Sequence, residues 1–149
     1  MPYATYAARP VVGSEGLRPE VWHWTWERFG APQLNQRFER LSGRRMEAWD
    51  WAAWAAVRAV VEAVSRTGGT DIPSLRAAMQ ADDFSLDLYK GVPGGFRPWT
   101  GQLRQPILLA VHNAVIAAAP MDAFLHRTNT LDTLGVDQPE AACPARSGS

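Results

Sequence analysis

The chain has 149 residues, of which 46% are hydrophobic and 20% charged, enough apolar material for one domain with its own core and too much for overall disorder. Fifteen basic and fifteen acidic side chains cancel, so the basic footprint of a protein that tracks phosphates is missing and nucleic acid is excluded as the expected partner. Lys90 is the only lysine and the other basic residues are all Arg, a bias that, with the many Ala, reads as a GC-rich coding sequence.

In chain order, Pro10, Val11-Val12, Gly13, Gly16 and Pro19 predict a short buried strand over residues 9–12 that leaves through a glycine turn. Residues 21–26 carry Trp22, Trp24 and Trp26 with period two. That spacing predicts an extended segment with three indoles on one face, with a helix opening at Trp26 as the rival. Gly30-Ala31-Pro32 places proline in a first helical turn, with Leu34, Phe38 and Leu41 at helical spacing and Ser42-Gly43 as the stop. A long helix follows over residues 47–66, where Trp54, Val57, Val61 and Val64 form one stripe with Val60 beside it. The stripe is the expected buried face. Gly68-Gly69 ends that helix, and Asp71 caps the next, with Leu75, Ala78 and Met79 as its buried side and a stop near Ala81. Beyond it, residues 84–89 alternate weakly and residues 91–95 form a turn. Ile107 to Val111 and residues 114–118 flank His112-Asn113 as two hairpin strands, with a helix as the rival reading. The last thirty residues read as irregular. The sum is a mixed α/β chain, with a domain over residues 1–119 and a tail over residues 120–149.

The lone Cys143 has no internal partner for a disulfide, so packing alone holds the fold. The amino terminus lacks the apolar run of roughly 7–15 residues that a signal peptide needs, so the chain as written is not expected to be exported. The longest apolar run, residues 106–120, is broken by His112-Asn113 and falls short of the roughly 20 residues of a membrane helix.

Chemistry-bearing patterns are sparse. His23, His112 and His126 are far apart, without the spacing that presents two metal ligands on one face. The glycines of residues 91–95 do not form a phosphate-binding loop, no G-x-S-x-G elbow occurs, and Asp82-Asp83 reads as solvated. The informative excess is seven Trp, clustered as Trp22/Trp24/Trp26 and Trp49/Trp51/Trp54. Core packing explains Trp54. Trp49 and Trp51 lie at the first turn of the long helix, where free N–H groups and an indole face suit a small ligand with polar and apolar parts.

The string from Glu47 through Trp49, Asp50, Trp51 and Trp54 to Val57, followed by Ala63, Gly68-Gly69, Asp71, Leu75 and Phe84, resembles the carboxy-terminal part of type I periplasmic binding proteins. These are the branched-chain amino acid class of ABC-transporter receptors. A subgroup found with PQQ-dependent alcohol dehydrogenase systems is more similar still. Its likeness rests on residues 9–13, residues 30–38, Phe124-Leu125-His126 and Leu131-Asp132-Thr133-Leu134-Gly135.

The resemblance implies an α/β fold that is part of a type I lobe, in which residues 102–109 fill the first strand of a closing hairpin. It covers roughly the final third of a two-lobed receptor, so one wall of the ligand cleft is missing. It further implies a non-enzymatic substrate-binding component without a cofactor, periplasmic in location, that takes a small-molecule ligand and delivers it to a transporter permease. Trp49 falls where the family places a ligand-contacting aromatic, with Asp50 beside it. Lobe-facing residues, some of Trp22, Trp24 and Trp51 among them, are expected to be left exposed and to drive self-association. The alternative is a stand-alone protein–protein interaction module without small-molecule binding.

Overall fold

A computed structural model describes residues 16–142. Its elements run β1 (Arg18–Glu20), α1 (Ala31–Ser42), α2 (Ala48–Thr67), α3 (Ile72–Gln80), β2 (Gly95–Phe96), β3 (Leu103–Arg104), β4 (Ile107–Val111) and β5 (Ala114–Ala119). Three short 3-10 turns follow, at Asp122–Phe124, Thr130–Leu134 and Gln138–Glu140. The helices begin and end where local chemistry dictates. Proline sits in the first turn of α1 and α3, and Asp71 accepts the Ser74 N–H at 2.9 Å. Gly43 and Gly68 close α1 and α2 by returning their N–H groups to Glu39 and Val64.

β4 and β5 form the expected hairpin around His112-Asn113, with Leu108 opposite Ala118, and β1 adds antiparallel to the other edge of β4. β2 and β3 make a separate antiparallel ribbon in which Phe96 faces Leu103. The chain is therefore mixed α/β, with its helices on two small antiparallel sheets. No helix of the described residues is long and apolar enough to cross a membrane. The predicted strand over residues 9–12 and Cys143 lie outside the described residues.

The buried face of α2 is not the valine stripe. Trp51, Ala55, Ala59 and Ala63 are buried at successive four-residue steps, whereas Val57 and Val61 are 64% and 52% exposed and Val60 is exposed as well. The cause is volume. The core shared with α2 already holds Trp22, Trp26, Phe84, Leu86, Leu88 and Leu108, and a helix reaches large side chains closely only along a line of small ones. Leu41, expected on the inner face of α1, is exposed, while Leu34 and Phe38 pack partly against the core.

Residues 21–26 are irregular, and the strand lies just before them at β1. A turn at Trp24-Thr25, where the Trp26 N–H bonds the His23 carbonyl at 3.0 Å, breaks the period-two face. Trp22 and Trp26 go into the core while Trp24 is only partly covered. Trp22 stacks on Trp51 at 5.8 Å between ring centroids. Both are buried, so neither supplies the exposed lobe-facing surface expected of it. The exposed large apolar side chains of α2 are instead Trp49, 85% exposed, and the outer valines. Residues 102–109 likewise do not form one strand: Gln105-Pro106 separates β3 from β4, and only β4 enters the hairpin.

Residues 120–142 are irregular yet tied down. Leu131 is buried, and Asp132 is buried in an ion cluster with Arg97 and Arg104.

Candidate functional site

Trp49 and Asp50 are neighbours in sequence but line different grooves. Trp49 borders one of about 270 Å³, together with Glu20, His23, Trp24 and Ala48. Asp50 borders one of about 420 Å³ with Phe38, Trp54 and Tyr89. The Asp50 carboxylate is engaged by the chain itself. Arg44 holds it through two nitrogens at 2.7 and 2.6 Å, and the Glu47 backbone N–H donates to it at 2.9 Å, the return half of a capping box. The Arg44 hydrogen bonds, then the Glu47 N–H, hold its pKa down at about 2. Asp50 thus caps the helix start and presents negative charge there.

The Trp49 groove is an aromatic platform. The Arg45 guanidinium lies 3.6 Å from the Trp24 ring centroid, and His23 stacks on Trp24 at 5.6 Å. The Thr25 hydroxyl and N–H approach His23 Nδ1 at 2.7 and 3.3 Å, so Nδ1 accepts and the neutral ring carries its proton on Nε2. Burial pushes the His23 pKa down against the opposing charge of Glu20. Sequence spacing kept the histidines apart, but β1 and the β4–β5 turn bring His23 and His112 to one groove of about 240 Å³, with Glu20 and Arg18.

A second centre was not foreseen. Lys90 is 3% exposed, and its Nζ donates to Gln105 Oε1 at 2.6 Å and to the Pro106 carbonyl at 3.0 Å. The same Nζ lies 3.9 Å from the centroid of the Trp51 ring. All three partners are neutral. Burial therefore pulls the Lys90 pKa down to about 7. The backbone enforces the placement. Tyr89 is left-handed at φ 57, with its carbonyl taken by Trp26 Nε1 at 2.9 Å, and Gly91 follows at φ 83, where a Cβ would lie 2.4 Å from the Phe29 ring. Trp51 Nε1 is buried with no hydrogen-bond partner. The one sequence signal was that a chain otherwise using Arg has its single Lys at this position.

The third cluster is structural. Arg97 Nε and Arg104 Nε each donate to Asp132 Oδ1 at 2.8 Å, Arg104 Nη2 reaches Oδ2 at 3.0 Å, and Arg97 Nη2 caps the Leu131 carbonyl at 2.7 Å. A Cβ at Gly135 would sit 2.6 Å from Arg97 Cζ. The string Leu131-Asp132-Thr133-Leu134-Gly135 thus reads as a clamp: a buried leucine, an ion partner and a glycine that admits the guanidinium. Among the described residues, no group of three His, Cys, Asp or Glu side chains is placed to hold a metal.

Comparison with family models, with curated proteins and with solved structures finds no match for this chain.

Proposed function

We propose that the chain is the carboxy-terminal part of a non-enzymatic, periplasmic substrate-binding component of an ABC-type uptake system linked to PQQ-dependent alcohol oxidation. In this reading it forms part of a type I lobe, and the intact parent captures a small molecule and presents it to the permease. The observation that carries the reading is α2, which is apolar on both sides. Its alanine face is buried in this chain's own core, while Trp49, Val57 and Val61 continue a second stripe into solvent. A helix of that kind belongs in a layer with protein on both sides.

Trp49 is the ligand-contacting residue in this reading, and its indole offers stacking area beside Trp24 and His23. Asp50 follows it in sequence, with its carboxylate engaged by Arg44 at the helix start. With one wall of the cleft present, affinity is expected to be millimolar or weaker, against roughly micromolar for an enclosed pocket.

Quenching of Trp fluorescence by amino acids, short-chain acids and alcohol-oxidation products tests the site. Trp49→Ala should abolish saturable quenching, and Trp99→Ala, whose indole is tied to the Val136 carbonyl, should leave it intact. Tight binding that survives Trp49→Ala overturns the assignment. A second lobe encoded in frame directly upstream supports the receptor reading, and a stop codon there favours the stand-alone interaction module, which the same exposed stripe also suits.

A further inference from the structure

The groove of about 420 Å³ that Asp50 borders runs between α1 and α2, and its volume falls within the range of small-molecule sites, about 300–1,000 Å³. α1 contributes Leu34, Arg37, Phe38 and Leu41, whose spacing of three and four residues puts them on one face of the helix. α2 contributes Asp50, Trp54 and Arg58, which follow one another at four-residue steps. Tyr89, its ring centroid 5.5 Å from that of Trp54, and the buried Met46 complete the lining. The apolar side of α1 thus continues past the core, and Leu41, 90% exposed, belongs to the rim of this groove.

The charges of the lining do not balance. Asp50 is taken up by Arg44, which holds both carboxylate oxygens and lies 5.1 Å from the Phe38 ring centroid. Arg37 and Arg58 remain, one on each helix. Among the described residues, neither makes a hydrogen bond, an ion pair or a ring contact. Their own helices offer them no free acid. No Asp or Glu stands three or four residues from Arg37, and Glu62, one turn beyond Arg58, is held by Arg66 at 2.8 Å. Two uncommitted guanidinium groups beside a lining of aromatic and aliphatic side chains suit an anion that carries an apolar body. The planar N–H forks match the anion, and the rings and leucines match the body.

We infer that the groove between α1 and α2 is a binding site for a small organic anion with an aromatic body, the body against Phe38, Trp54 and Tyr89 and the anionic head at Arg37 and Arg58. A carboxylate and a phosphate monoester present the same chemistry to a guanidinium fork. The inference does not rest on the receptor reading. Of the two residues assigned there, Trp49 lies outside this groove, and Asp50 borders it with a carboxylate that Arg44 already engages.

The test titrates the whole chain at pH 7 with 3-phenylpropanoate, phenyl phosphate and the neutral 3-phenylpropanol, by calorimetry and by the indole N–H resonances. At least one of the anions should bind saturably and about tenfold or more tighter than the alcohol, and the tighter of the two names the head group. It should move the Trp54 resonance and leave that of Trp49 in place, and Trp49→Ala should not change its affinity. Arg58→Gln should bring anion and alcohol to similar affinity, and Arg37→Gln should narrow the gap. Arg40→Gln removes the same charge from α1 at a residue that does not line the groove, and should leave every affinity within about twofold. Four outcomes overturn the inference: no saturation below roughly 10 mM, equal affinity for the alcohol in the unaltered chain, equal losses in Arg40→Gln and Arg58→Gln, or a shift confined to Trp49. The third would reduce the site to diffuse attraction, and the last would assign the anion to the Trp49 groove. Because the resonances and the anion–alcohol comparison are read on the unaltered protein, failure of a variant to fold does not remove the test.

Discussion

Among the described residues, charge is buried in two places and treated oppositely. At Asp132, two guanidinium groups share one carboxylate, and each member is hydrogen-bonded to the others or to a carbonyl. At Lys90, an ammonium is buried against an amide oxygen, a carbonyl and an indole face, with no carboxylate among these partners. The first arrangement is closed and serves to fasten the chain after β5 onto the β2–β3 ribbon. The second is open in the electrostatic sense, because an added negative charge beside it would be favourable.

The largest effect should come from opening the closed cluster. Asp132→Ala leaves Arg97, 3% exposed, without its counter-charge, and is expected to cost about 3–5 kcal/mol in urea unfolding. Arg104→Met should cost less, since Arg104 is the more exposed of the two arginines. Burial works to raise the Asp132 pKa, but the hydrogen bonds and charge of Arg104 and then Arg97 outweigh it and hold the pKa low. The cluster's contribution is therefore present above about pH 4, the unfolded carboxyl value, and is lost as pH falls below it. A loss under about 1 kcal/mol for Asp132→Ala would show that the cluster is solvated.

Lys90 should behave in the opposite sense. The unfolded chain keeps the lysine proton to about pH 10.4, whereas the folded chain releases it near about 7. Between those values the unfolded state binds more protons, so stability rises with pH, by up to about 5 kcal/mol. The Trp51 face and the two acceptors support the charged form and keep the rise below that bound. Lys90→Met should flatten the climb and, at pH 6.5, stabilise the chain by about 1–4 kcal/mol. A variant whose stability still climbs from pH 7 to 10 would assign the slope to another group.

What could be read from the sequence follows the same division between local and non-local causes. The three helices and the β4–β5 hairpin are set by residues adjacent to them: Pro32, Gly43, Asp71, Pro73 and the His112-Asn113 turn. Which face of α2 is buried depends on partners elsewhere. Hydropathy favours valine over alanine, but the space beside α2 is already filled by Trp22 and Phe84. Arg97 and Asp132 stand 35 residues apart and Lys90 and Gln105 stand 15 apart, and no local pattern links members of either pair. For Trp49, the position at the helix start was legible, but exposure was expected of Trp51 two residues on, which is buried, while the ring of Trp49 stands in solvent. The capping duty of Asp50 was legible in principle, since Glu47 and Asp50 have the spacing of a capping box.

The two faces of α2 sharpen the contrast at smaller amplitude. Ala59 is 4% exposed, so Ala59→Leu forces methyl groups into filled space and should cost about 1–3 kcal/mol in the same urea assay. Val57→Ala on the opposite face should stay within about 0.5 kcal/mol. Equal costs would show that both faces are packed in solution.

The smallest stability effect is expected at Val61→Asp, and it is the most informative about what α2 faces. By hydropathy alone this substitution would bury an unpaired charge and unfold the chain. In the structure Val61 is 52% exposed, and Arg58 lies one turn earlier, at a spacing that favours an acid–base neighbour. Urea unfolding should therefore change by no more than about 0.5 kcal/mol. Association should change far more. Trp49, Ala53, Val57 and Val61 follow one another at four-residue steps along the exposed side of α2, so a carboxylate at the last position puts a desolvation penalty into any interface made there. The unaltered chain should show mass that increases with concentration and should bind a hydrophobic dye, and Val61→Asp should lose both. Loss of the cooperative unfolding transition in the variant would mean that the valine face is covered within the single chain. A strict monomer without dye binding in the unaltered chain would mean that the stripe has no partner in a second copy, and it would weaken the case that α2 belongs between two layers of protein.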